Sequence, residues 1–175
     1  MKILIVKRGF LGEILRSKLI GRKREFGEND TIFAVGAIEE AERLLKTEDI
    51  RLLIIGLNLS PESTEESDVL SGWRWVCESV VPEYPHLAHR IIIFSSHINA
   101  FNTTRHSEVE ESDIVCAPPA ETYRDVLQNK NAIDGLIQRI FEIHEEIQIN
   151  GSIRYIFKTH PRLTAVELHK RVSEV

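Results

Sequence analysis

Five short apolar runs, separated by stretches of helical periodicity, restrict this sequence to a small set of folds. They are Lys2–Val6, Thr31–Val35, Leu52–Gly56, Arg90–Phe94 and Asp113–Cys116. Runs that stay apolar without alternating suit strands buried on both faces, as in a parallel sheet. Between them, Leu11, Ile14, Leu15 and Leu19 recur at helical spacing, as do Ile38, Ala41, Leu44 and Leu45. A further helix carries Trp73, Val76, Cys77 and Val80, and a weaker helical or loop segment runs from His97 to Ser112. A long helix places Ile133, Leu136, Ile137, Ile140 and Ile147 on one stripe. Strand alternating with helix implies βαβ units. Right-handed crossovers then give a doubly wound α/β domain, a five-stranded parallel sheet in a three-layer α/β/α sandwich. Binding sites in such sheets lie beyond the carboxyl ends of the strands, at the switch point.

Composition narrows the function classes. With 42% hydrophobic and 28% charged residues, the 175-residue chain is globular and long enough for one domain with an extension. A net charge of -5 gives no reason to expect direct nucleic-acid binding, apart from the local basic stretch Arg22-Lys23-Arg24. Two cysteines, Cys77 and Cys116, do not make a disulfide framework, which points to a reducing, cytoplasmic compartment. No apolar run is long enough to span a bilayer. The pattern changes after Gly151, so the expected division is a domain over 1–149 and an extension over 150–175. That extension reads as a short strand at Ser152–Phe157 and a helix opened by the capping box Thr164–Glu167.

Several phrases, taken in order, resemble the receiver domain of two-component response regulators, over roughly residues 2–147. Ile3-Leu4-Ile5-Val6 is similar to the first receiver strand, and Arg51 to Pro61 to the third strand and its exit. Ser71-Gly72-Trp73 resembles the start of the third helix, and Ile91 to His97 the fourth strand with its hydroxyl residue. Asp113 to Pro118 resembles the fifth strand and its Lys-Pro end. The resemblance implies a flavodoxin-like fold. It also implies a set of catalytic positions, most of which this sequence does not fill.

Where a receiver holds magnesium with an acidic pair, this chain has Lys7 and Arg8. Where a receiver is phosphorylated on aspartate, it has Gly56. The phosphate-pairing lysine is replaced by Ala117, while Ser95 keeps the hydroxyl and Pro118 keeps the proline, often cis-bonded in the family. Magnesium is a hard cation that takes carboxylate and water oxygens, and two cationic side chains repel it. Phosphoryl transfer depends on positioning and charge neutralisation, and those parts are missing. The candidate pocket is therefore Lys7, Arg8, Gly56, Asn58, Ser95, Ser96 and Ala117. No catalytic residue, metal or cofactor is expected.

Two uses of that pocket remain open. Lys7 and Arg8 could bind an anion together with Ser95 and nearby helix starts, or pair with Glu62, Glu65, Glu66 or Asp68 in the polar loop from Asn58 to Ser71. That long loop is either a lid or partner-binding element, or a solvated insertion. His86 and His89 lack other ligands at metal spacing, and Cys116 reads as a small buried hydrophobe. Trp75 lies off the helical stripe of Trp73, which would leave it free for a partner or for loop packing. Gly9-Phe10-Leu11-Gly12 lacks the rest of a dinucleotide fingerprint. Leu163 to Leu168 is similar to the opening of a regulator helix-turn-helix domain, but the recognition helix is absent, and a plain capped helix would support a dimer. The expected function is a non-enzymatic, phosphorylation-independent signalling module with a protein partner, a homodimer among the options, connected with transcription regulation. The alternative is a small-ligand or anion sensor in the same pocket.

Overall fold

The computed structural model describes residues 1–25, 27–59, 70–96, 120–124 and 130–159, with the side chains of 133–149 in the last segment. In chain order the elements are β1 (Lys2–Val6), α1 (Phe10–Gly21), β2 (Thr31–Val35), α2 (Ile38–Thr47) and β3 (Ile50–Ile55). Then come α3 (Ser71–Trp75), a π-helical turn (Val76–Val80), α4 (Val81–Glu83), β4 (Ile91–Ser95), β5 (Ala120–Arg124) and α5 (Lys130–Thr159). The order across the sheet is β2-β1-β3-β4-β5, and each recorded pairing is parallel. The chain is thus an α/β domain built on a parallel sheet, compatible with a flavodoxin-like fold.

The continuous apolar runs are explained by helices on both faces. Alternate strand residues feed two cores. Leu4, Val6, Leu53, Ile55, Ile91 and Ile93 pack with Ala41 and Leu45 of α2 and with Trp75, Val76 and Val80. Ile3, Ile5, Leu52, Ile54, Ile92 and Phe94 pack with Leu15 and Leu19 of α1 and with Ile133, Leu136, Ile137, Ile140 and Ile143 of α5. The middle strands β1, β3 and β4 are apolar because no face of them meets water.

Four expectations need correction. In α1 the buried side is Gly12, Leu15 and Leu19, while Leu11 and Ile14 face outward. A Cβ at Gly12 would lie 3.1 Å from the Lys7 carbonyl oxygen, so the helix approaches the β1 exit along its glycine rather than its bulkier neighbours. Trp75, expected off the packed face, is buried, and its Nε1–H donates to Glu42 Oε1 at 3.2 Å, tying α3 to α2. The packed side runs through Gly72, Trp75 and Val76, an i, i+3, i+4 set, and its first member is a glycine to which hydropathy gives no weight.

The other two corrections concern the C-terminal part. The edge of β4 is filled along Ile91–Ser95 by Ala120–Arg124, two residues after Pro118, rather than by Asp113–Cys116. Residues 113–116 themselves, Ala117 and Pro118 lie outside the described residues. The short strand expected at Ser152–Phe157 is instead part of α5, which runs through to Thr159. Its β-branched and aromatic residues favour strand locally. A helix already nucleated over five turns adds one hydrogen bond per further residue, and that gain carries it past Gly151.

Candidate functional site

The backbone first brings together the exits of β1 and β3. Lys7 N–H donates to the Val35 carbonyl at 2.9 Å and Gly56 N–H to the Val6 carbonyl at 2.8 Å, so both residues continue the sheet one step beyond their strands. Lys7 and Gly56, two of the seven residues of the expected pocket, are therefore side by side at the switch point between β1 and β3.

The side chains then separate the candidates. Lys7 is 7% exposed, whereas Arg8 is exposed. The Lys7 stem runs over Gly56: a Cβ on that glycine would lie 3.4 Å from Lys7 Cγ and 3.8 Å from its Nζ. Beyond the glycine, the Lys7 ammonium donates to the Phe94 carbonyl oxygen of β4 at 3.0 Å and lies 5.7 Å from the Phe94 ring centre. One lysine thus spans from β1 across β3 to β4. A buried charge is tolerated only when it is hydrogen-bonded, and the main-chain oxygen and the ring face both contribute to that compensation.

Around this lysine, Ser95 is buried and Ser96 exposed, and neither Arg8 nor Ser95 is without a partner. Asn58 is half-buried, and its Oδ1 is a buried acceptor with no hydrogen-bond donor among the described residues. The ends of the polar loop are pinned: Leu59 N–H donates to Ser71 Oγ at 2.9 Å, and Gly72 N–H to the Leu57 carbonyl at 2.8 Å. Gly72 is required by that approach, since a Cβ there would overlap the Gly56 carbonyl oxygen and come within 3.1 Å of the Leu57 oxygen. Residues 60–69, including Glu62, Glu65, Glu66 and Asp68, lie outside the described residues, as do His97 and His106.

The arrangement is chemically simple. Among the described residues no three His, Cys, Asp or Glu side chains cluster to hold a metal. His86 is at the surface and contacts the Ile50 carbonyl at 3.0 Å through Nε2, away from the strand exits. A groove between α2 and the π turn, lined by Glu42, Leu45, Trp75, Val80, Glu83 and Tyr84, encloses about 10 Å³, the room of one water. No described helix is long and apolar enough to cross a membrane. Sequence reasoning placed Lys7 and Gly56 together but missed the Phe94 carbonyl, because a main-chain acceptor leaves no mark on residue identity. It also missed Ser71, the first residue of α3, as the acceptor that closes the loop, because a contact twelve residues apart in the chain leaves no local signal.

No protein-family model matches the chain, and no curated protein matches it.

Proposed function

We infer that the chain is a non-enzymatic regulatory module of pseudo-receiver type, with β5 as the fifth strand of a flavodoxin-like sheet, acting through protein–protein contact without phosphorylation. The observation that carries this reading is Lys7. Its stem lies over Gly56 and its ammonium is bonded to Phe94 O, so the place of a phospho-acceptor is filled by a cation tied to the sheet itself. A metal ion arriving there would meet a like charge and no carboxylate among the described residues of the β1 and β3 exits. The same contact weighs against an anion sensor, because the central cation is already buried and hydrogen-bonded. A partner protein, a cytoplasmic setting and a link to transcription regulation belong to this reading.

Backbone amide NMR with magnesium and beryllofluoride, or with acetyl phosphate, tests it. The spectrum is expected to stay unchanged around Lys7, Gly56 and Ser95. Saturable shifts centred on Gly56 would overturn the reading.

A further inference from the structure

β2 is the last strand on its side of the sheet, and among the described residues no strand pairs with its outer edge. Its bonds to β1 fix which backbone groups face outward. Thr31 N–H donates to the Met1 carbonyl at 3.0 Å and Lys7 N–H to the Val35 carbonyl at 2.9 Å. Thr31, Phe33 and Val35 therefore turn their backbone groups toward β1, and Ile32 and Ala34 turn theirs to the open side.

An open edge is a template for a further strand, and proteins usually blunt it with a charged residue, a proline or a bulge. β2 carries none of these. Its sequence is Thr-Ile-Phe-Ala-Val, and its register with β1 is unbroken. β5, the strand at the opposite edge, has Glu121 and Arg124 in its sequence. What covers the β2 edge comes from α1 instead. Arg16 Nε donates to the Ile32 carbonyl at 2.8 Å, and its Nη1 donates to Glu13 Oε2 of the same helix at 3.3 Å. One outward acceptor of the edge is thus already taken, by a charged side chain that a neighbouring carboxylate holds in place.

We propose that Arg16 is an autoinhibitory guard, which keeps the β2 edge of one copy of the chain from pairing with the β2 edge of a second copy. The symmetry of the edge itself selects that partner. A two-fold axis at Phe33 sets the two strands antiparallel, with Ile32 opposite Ala34 of the other copy on both sides of the axis. Each such pair exchanges two N–H···O bonds. The strand has no charge with which to repel its own copy. Both pairs need an Ile32 carbonyl, and Arg16 occupies it in each copy. Self-association is thereby made conditional, since whatever draws Arg16 away from Ile32 opens the edge. The guard is independent of the loss of phosphoryl chemistry, which the beryllofluoride experiment addresses.

Sedimentation equilibrium and amide hydrogen exchange of the full chain, over a concentration series reaching about millimolar, test the guard. Arg16→Met and Arg16→Ala keep a good helix former at the position and remove the donor. Each is expected to retain the wild-type far-UV circular dichroism and to self-associate at least about tenfold more tightly than the wild type. The Ile32 and Ala34 amides should then exchange more slowly as concentration rises. Adding Ala34→Pro removes an N–H that points to the open side, where an edge strand tolerates proline, and is expected to restore the monomer. Folded Arg16 variants that stay monomeric overturn the proposal. So does association that leaves the Ile32 and Ala34 amides unprotected or survives Ala34→Pro, since it would use another surface. A wild type whose own Ile32 and Ala34 amides become protected with concentration overturns it as well, because the edge would be pairing with Arg16 in place.

Discussion

At the scale of single residues, the exchange of a phospho-acceptor position for glycine is meaningful only together with Lys7. A glycine alone would leave a gap at the β3 exit. Lys7 fills it with four methylenes and carries its charge onward to a carbonyl of the next strand. Lys7→Met keeps the stem and removes the ammonium. It should cost about 1.5–3 kcal/mol, the worth of a hydrogen bond from a charged donor, read as a lower urea midpoint at unchanged m-value. A loss near zero would mean that the ammonium merely tolerates its burial. Gly72 shows the same logic in reverse, since its missing side chain lets the start of α3 touch the β3 exit.

At the scale of elements, helical spacing named the right segments but not always the right face. For α2 and α5 the expected stripes are the packed ones: Ala41 and Leu45 in one core, Ile133, Leu136, Ile137 and Ile140 in the other. For α1 the packed side passes through Gly12, and hydropathy gives a glycine no weight, so helical spacing points to Leu11 and Ile14 in its place. In α5 the change of pattern after Gly151 pointed to a short strand, and the helix runs through it. An interior helical glycine remains unfavourable relative to alanine. Gly151→Ala should therefore stabilise the helix by about 0.4–1 kcal/mol, seen as a higher melting temperature by far-UV circular dichroism. An unchanged or lower value would place residue 151 outside the helix in solution.

At the scale of the whole molecule, the two ends of the fold are joined electrostatically. Arg22, just after α1, is hydrogen-bonded to Glu25 and to Asp134 of α5. The Arg22 guanidinium holds the Glu25 carboxyl below its ordinary value through that hydrogen bond, and Arg22 is itself raised, most by Glu25 and then by Asp134. The sign follows from linkage. A carboxylate with a depressed folded pKa contributes stability above its unfolded pKa and loses it as pH falls through the folded value. Unfolding free energy should thus decline as acid is added below the ordinary carboxylate range, and Glu25→Gln should flatten that decline. The effect is small because the group is solvent-exposed. A pH series of urea unfolding checks it, and identical slopes for both proteins would remove Glu25 from the account.

The sequence by itself determined the layered parallel sheet and the pairing of Lys7 with Gly56 at its switch point. Both depend on local apolar runs and on positions counted from strand ends, which residue identity carries. Only the tertiary structure decided that Lys7 is buried while Arg8 is exposed, and that the Phe94 carbonyl accepts a hydrogen bond from the lysine. It alone decided that α1 turns Phe10 and Ile14 outward and that the β4 edge is filled by Ala120–Arg124. Each of these depends on how closely two backbones approach. That distance is set by glycines and main-chain oxygens, whose contribution depends on what lies opposite them in space rather than on their neighbours in the chain.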